Sequence, residues 1–141
     1  MQNSASTRKT ILVVDDNPTW ALLVRKHLGP DHRIIQCLSG GAAEADYAKY
    51  RPDWVWLDIS MPDVDGFVAA RAILARWKKA RVVFVTQHDE GGFRDEAIRL
   101  GVAGYVLKDN LDEAVELMRR ASDPASIAET QSEGSCSTAS P

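Results

Sequence analysis

The sequence predicts an α/β fold, (βα)5, an open and doubly wound parallel sheet with helices on both faces. Three observations carry that expectation. Five short apolar runs recur along the 141 residues, mostly continuous rather than alternating, as in strands covered on both sides. Segments of helical period separate them, and cap residues stand at the junctions. Strand–helix alternation in a chain of single-domain size implies right-handed crossovers and a parallel sheet.

The elements follow in order. TILVVD at 10–15 is the first strand. Asn17-Pro18 reads as an N-cap with proline at the first helical position. Trp20, Leu23, Val24, His27 and Leu28 then trace one apolar helix face, with His27 expected as a partly buried core histidine. Gly29-Pro30 closes that helix. RIIQCL at 33–38 is the second strand, and Cys37 reads as a small buried hydrophobe. A weaker helical segment spans 41–50. Pro52 precedes the third strand, DWVWLD at 53–58, where Trp54 and Trp56 share a face at period 2 and are expected to pack under a helix. Phe67, Ala70, Leu74 and Trp77 mark the third helix. ARVVFVTQ at 80–87 is the fourth strand, followed by a helix near 92–100 that ends at Gly101, a C′ glycine. GYVLKD at 104–109 is the fifth strand, and Leu111, Ala114, Val115 and Met118 mark the last helix. Residues 1–8 are expected to be flexible, 9–121 to form the folded domain, and the Ser/Ala/Thr-rich 122–141 to be a disordered tail or the start of a linker.

Composition narrows the function classes. With 45% hydrophobic and 26% charged residues the chain has material for a core. Lys plus Arg is 17 against 20 Asp plus Glu, a net charge of −3, so direct nucleic-acid binding by this domain is not expected. Cys37 and Cys136 cannot make a disulfide framework or a four-ligand zinc site. No apolar run approaches the roughly 20 residues of a membrane span, and the polar first ten residues lack a signal-sequence core. A soluble, cytoplasmic protein with no membrane partner is the expectation.

Open α/β sheets place ligands at the carboxyl ends of their strands. Those ends carry Asp15-Asp16, Asp58, Thr86 and Lys108; only the second strand, near Ser39-Gly40, brings nothing reactive. Each residue has a plainer reading: Asp15 and Asp16 as helix caps, Thr86 as a turn residue, Lys108 as a solvated charge. Asp58, closing an apolar strand, resists such a reading because an uncompensated carboxylate there is costly. Two unit charges 4 Å apart repel by about 4 kcal/mol at an effective dielectric of 20. Three aspartates together therefore call for a cation, and Lys108 and a hard divalent ion, Mg²⁺ or Mn²⁺, are the candidates. An aspartate so placed can act as a nucleophile toward a phosphoryl group.

VVDDNP, WLDISMPDVDG, VFVTQ and GYVLKD, in that order, resemble the receiver domain of bacterial two-component response regulators. The resemblance covers residues 9–121 and implies a flavodoxin-like fold with strand order 2-1-3-4-5. It implies Asp58 as the phosphoacceptor, taking a phosphoryl group from a histidine kinase or phosphotransfer protein. It implies Asp15, Asp16, Asp58 and the Ser60 backbone carbonyl as the Mg²⁺ site, and Thr86 and Lys108 as the switch hydroxyl and phosphate-pairing amine. Tyr105 matches the aromatic whose rotamer follows the switch, so phosphorylation would alter the face of the fourth helix, fifth strand and fifth helix, where a homodimer or effector could dock. Gly66 is expected to permit a tight turn into the third helix.

Two departures stand out. Asp109 replaces the usual proline after the lysine, commonly preceded by a cis peptide, so the loop is expected to be trans and differently shaped. Gln87, where Ala or Gly is usual, is expected to modulate access to Asp58. His88 reads as a loop residue near the rim, and Cys136 as an exposed thiol. GVAGYVLKDNLDEAVELMRRA resembles the end of receivers attached to LuxR-type DNA-binding domains, so both a stand-alone receiver and one belonging to a longer regulator stay open. Such a domain is not an enzyme beyond its own phosphorylation and dephosphorylation. Other readings are a pseudo-receiver used as a dimerisation scaffold, and an aspartate-nucleophile phosphatase, against which Ser60 occupies the place of the second acid.

Overall fold

A computed structural model describes residues 8–87 and 91–122. His88, Cys136, almost all of the proposed amino-terminal segment and all but the first residue of the proposed tail lie outside these. Five strands, β1 (Thr10–Val14), β2 (Arg33–Cys37), β3 (Trp54–Leu57), β4 (Val82–Thr86) and β5 (Gly104–Leu107), alternate with helices α1 (Pro18–Leu28), α2 (Ala43–Tyr50), α3 (Gly66–Arg76), α4 (Gly91–Leu100) and α5 (Leu111–Ser122). All the pairings are parallel and the order is β2-β1-β3-β4-β5.

The continuous apolar runs are buried on both sides, as expected. Leu12, Val14, Val55, Leu57, Val82 and Phe84 face the layer of α2, α3 and α4. Ile11, Val13, Trp54, Trp56, Val83, Val85 and Val106 face the layer of α1 and α5. Trp54 and Trp56 do share a face, each 1% exposed, although neither buried indole N–H has a hydrogen-bond partner. Cys37 is buried, and that burial pushes its thiol up to about 11.

The caps work as read. Asn17 accepts from the Thr19 amide at 3.0 Å with Pro18 at the first turn of α1, and Gly29 and Gly101 both adopt positive φ. The strands are one to three residues shorter than the apolar runs, and a 3-10 turn at Gly40–Ala42 precedes α2. The α1 face needs correction. Trp20, Ala21 and Val24 are buried, but Leu23 is 49% exposed, and His27 is exposed, bonded to Asp112 of α5 at 2.9 Å. The helix is rotated so that small Ala21 meets the sheet and the wider 3.6-residue stripe points partly to solvent.

Candidate functional site

Asp15, Asp58 and Lys108 each lie one residue beyond a strand, yet the ladder still holds their backbones. The Asp15 amide donates to Cys37 O (3.0 Å), Asp58 to Val14 O (3.0 Å) and Lys108 to Thr86 O (2.8 Å). The chain reverses its order at β1 and β3: α1 leaves toward one layer and α3 toward the other. The carboxyl ends of these two strands therefore open into a crevice.

Asp15, Asp16 and Asp58 converge there, with one carboxylate oxygen from each within 4.8 Å of the others. Asp15 and Asp58 are 3% and 7% exposed, while Asp16 faces solvent. Lys108 Nζ lies 2.5 Å from Asp15 Oδ2 and 3.7 Å from Asp58 Oδ2. That Asp15 oxygen nevertheless receives no hydrogen bond of acceptable direction, so the contact is an ion pair. Asp15 Oδ1 accepts from the Asn17 amide at 2.9 Å, bracing the turn before α1, whose cap is Asn17 rather than Asp15 or Asp16.

Burial raises the Asp58 pKa above the ordinary carboxylate range, and the Asp15 charge adds to the rise. Lys108, the Ser60 amide and the Thr86 hydroxyl oppose it, the last two by hydrogen bonds to the carboxylate. Thr86 thus joins Asp58 directly, and Ser60 is tied to it through its N–H. Gln87 is exposed and borders, with Asn17, Trp20 and Lys108, a cleft of about 460 Å³. Tyr105 is 7% exposed and sits on the opposite face of the sheet from Trp20, packed on Phe84 (6.4 Å) under the Arg94 guanidinium (4.5 Å). The described residues contain no cis peptide, so the Lys108–Asp109 bond is trans as expected.

Gly66 has a different reason from the tight turn expected of it. Its φ is not positive; a Cβ there would lie 2.2 Å from the Asp58 carbonyl oxygen and 2.7 Å from Ile59 Cα. The start of α3 is pressed against the backbone of Asp58 itself, and only glycine leaves room.

Sequence reasoning passed over Asp63. Its carboxylate accepts from the Ser39 hydroxyl (2.5 Å) and the Gly41 amide (2.9 Å), fastening the loop after Asp58 to the end of β2. These donors hold its pKa at about 2. The second strand end, read as contributing nothing, is the anchor of that loop. An acidic residue beside Ser-Gly-Gly across two loops leaves no signal in linear spacing.

The model of the response regulator receiver domain family matches residues 11–120. The chain belongs to that family. This receiver domain is 36% identical over 100 residues to Protein CcdB of Bacillus subtilis, covering 70% of the chain and 83% of that protein. It is 29% identical to the transcriptional regulatory protein DegU of Brevibacillus brevis, covering 77% of the chain but 49% of DegU. The receiver therefore spans about half the length of several curated relatives it matches, among them a Pseudomonas aeruginosa alginate regulator at 47%. Among solved structures, the BeF3-activated receiver domain of Klebsiella pneumoniae RstA is 28% identical with a TM-score of 0.70, covering 78% of this chain and 98% of that one. No helix of the described residues is long and apolar enough to cross a membrane.

Proposed function

We propose that this receiver domain accepts a phosphoryl group on Asp58 from a phosphohistidine of a histidine kinase or phosphotransfer protein. The observation that carries the proposal is the meeting of buried Asp58 with two further carboxylates, the Lys108 ammonium and the Thr86 hydroxyl. A divalent ion fits this donor set: the ligands are hard oxygens within 4.8 Å, and Asp15 Oδ2 is buried without a hydrogen bond. Asp15, Asp16, Asp58 and the Ser60 carbonyl would hold Mg²⁺, or Mn²⁺. When bound, the ion offsets the negative charge that builds up as carboxylate and phosphoryl oxygens approach one another.

The chain's own groups do the rest. An Asp58 carboxylate oxygen forms the bond to phosphorus as the phosphorus–nitrogen bond of the phosphohistidine breaks, and the departing imidazole keeps that electron pair. Lys108 shifts its ammonium from Asp15 toward the phosphoryl oxygens, and Thr86 redirects its hydroxyl from carboxylate to phosphate. With Thr86 already bonded to Asp58 and Tyr105 already buried, phosphate would favour this packing over one in which both have moved outward. The α4–β5–α5 face would carry the change to an effector or a second copy. Gln87, lining the cleft beside Lys108, would modulate access to Asp58.

Incubation with a small acyl phosphate and Mg²⁺ should add one phosphoryl group per chain, read by intact mass, and Asp58→Asn should abolish it. A variant that labels like wild type would overturn the assignment. Absence of label would favour the pseudo-receiver scaffold, and many turnovers of a phosphate ester per chain would favour a phosphatase. Spanning about half of DegU supports a second reading of context, a receiver that works within a longer cytoplasmic transcription regulator; the length of the native gene product tests it.

A further inference from the structure

Lys108 has a neighbour that the proposed chemistry leaves unexplained. The Trp20 ring centroid lies 4.9 Å from Lys108 Nζ, on a side chain only 14% exposed. The ring is delivered by the same turn that holds Asp15. Asp15 Oδ1 accepts from the Asn17 amide, Asn17 caps α1, and the Trp20 amide donates back to Asn17 O at 3.1 Å. An ammonium on a four-carbon stem is mobile and strongly hydrated. An indole face attracts it without a formal charge, and more strongly the less water intervenes. We propose that Trp20 is a positioning residue for Lys108, holding the ammonium over the acidic crevice so that it can pass from Asp15 to an arriving phosphoryl oxygen.

This role rests on Asp58 being the phosphoacceptor. Trp20 is also a core residue, 8% exposed and packed with Val24, and leucine would supply that packing without a π face. The test is the initial rate of Asp58 labelling by acetyl phosphate with Mg²⁺, in which an Asp58 oxygen bonds to phosphorus and acetate leaves with the broken phosphorus–oxygen bond's electrons. Trp20→Leu should slow labelling about threefold to thirtyfold, and Trp20→Phe should recover much of the loss. In a Lys108→Ala background, Trp20→Leu should cost nothing further, since the ring then has no cation to hold. Circular dichroism of each variant checks folding, and Trp20→Met, apolar and without a ring, replaces the leucine variant if that does not fold. Equal rates for the Phe variant and the apolar variant, or a full additional loss on Lys108→Ala, would overturn the role. Wild-type protein that takes no label overturns the phosphoacceptor reading, and this role with it; labelled wild type confines any failure to Trp20.

Discussion

Asp58 and Asp63 lie five residues apart in one loop-bearing stretch, and their surroundings push them in opposite directions. Asp63 is ringed by a hydroxyl and backbone amides, which hold its pKa at about 2. Asp58 is buried beside another carboxylate, and its proton is held above the usual range. The first arrangement satisfies a charge within the protein. The second leaves a deficit that an external cation can fill. The same side chain is thus pushed in opposite directions, by burial and a neighbouring charge at one position and by converging donors at the other.

Gly66 links the two regions, so its replacement should have the largest effect. Gly66→Ala forces a methyl group against the Asp58 carbonyl, and destabilisation of about 2–3 kcal/mol or more is expected in chemical denaturation. Magnesium comes next. At ten times its dissociation constant it should stabilise the wild type by about 1.4 kcal/mol, read as a rise in Tm. Asp58→Asn should lose that gain and Asp63→Asn should keep it.

The pH dependence sharpens the contrast. For Asp58 the folded pKa is raised, so without metal the folded state binds more protons, and stability falls as pH rises from about 3.8 through the raised value. In chelator, Asp58→Asn should therefore gain over wild type as pH rises across that window. For Asp63 the folded pKa is lowered, so its contribution is present above about 3.8 and disappears as pH falls through about 2. Asp63→Asn should be less stable than wild type at neutral pH and equal to it at the acid limit. Urea titrations at several pH values check both signs. The smallest effect belongs to Asp53, at the opposite end of β3, whose carboxylate accepts from the Thr10 amide at 2.8 Å. Asp53→Ala should lower stability by about 1 kcal/mol without altering magnesium binding.

Much of this was legible in the sequence. Doubly covered strands leave unbroken apolar runs, and Asn17-Pro18, Gly29 and Gly101 mark their helix ends through local chemistry. Asp15, Asp16, Asp58, Thr86 and Lys108 were legible because a parallel sheet sends all its carboxyl ends to one rim. What escaped depends on three-dimensional neighbours. His27 and Leu23 fit the helical period but lie beyond the stripe that the sheet covers. The demand on Gly66 comes from the backbone of Asp58 rather than from its own φ. The bond between Asp63 and Ser39 crosses 24 residues, and the stacking of Trp20 on Lys108 joins the first helix to the end of the last strand.

The departure of α1 and α3 into separate layers has an evolutionary consequence. The lips of the acidic crevice belong to helices with independent foundations, so substitutions on one lip need no matching change on the other.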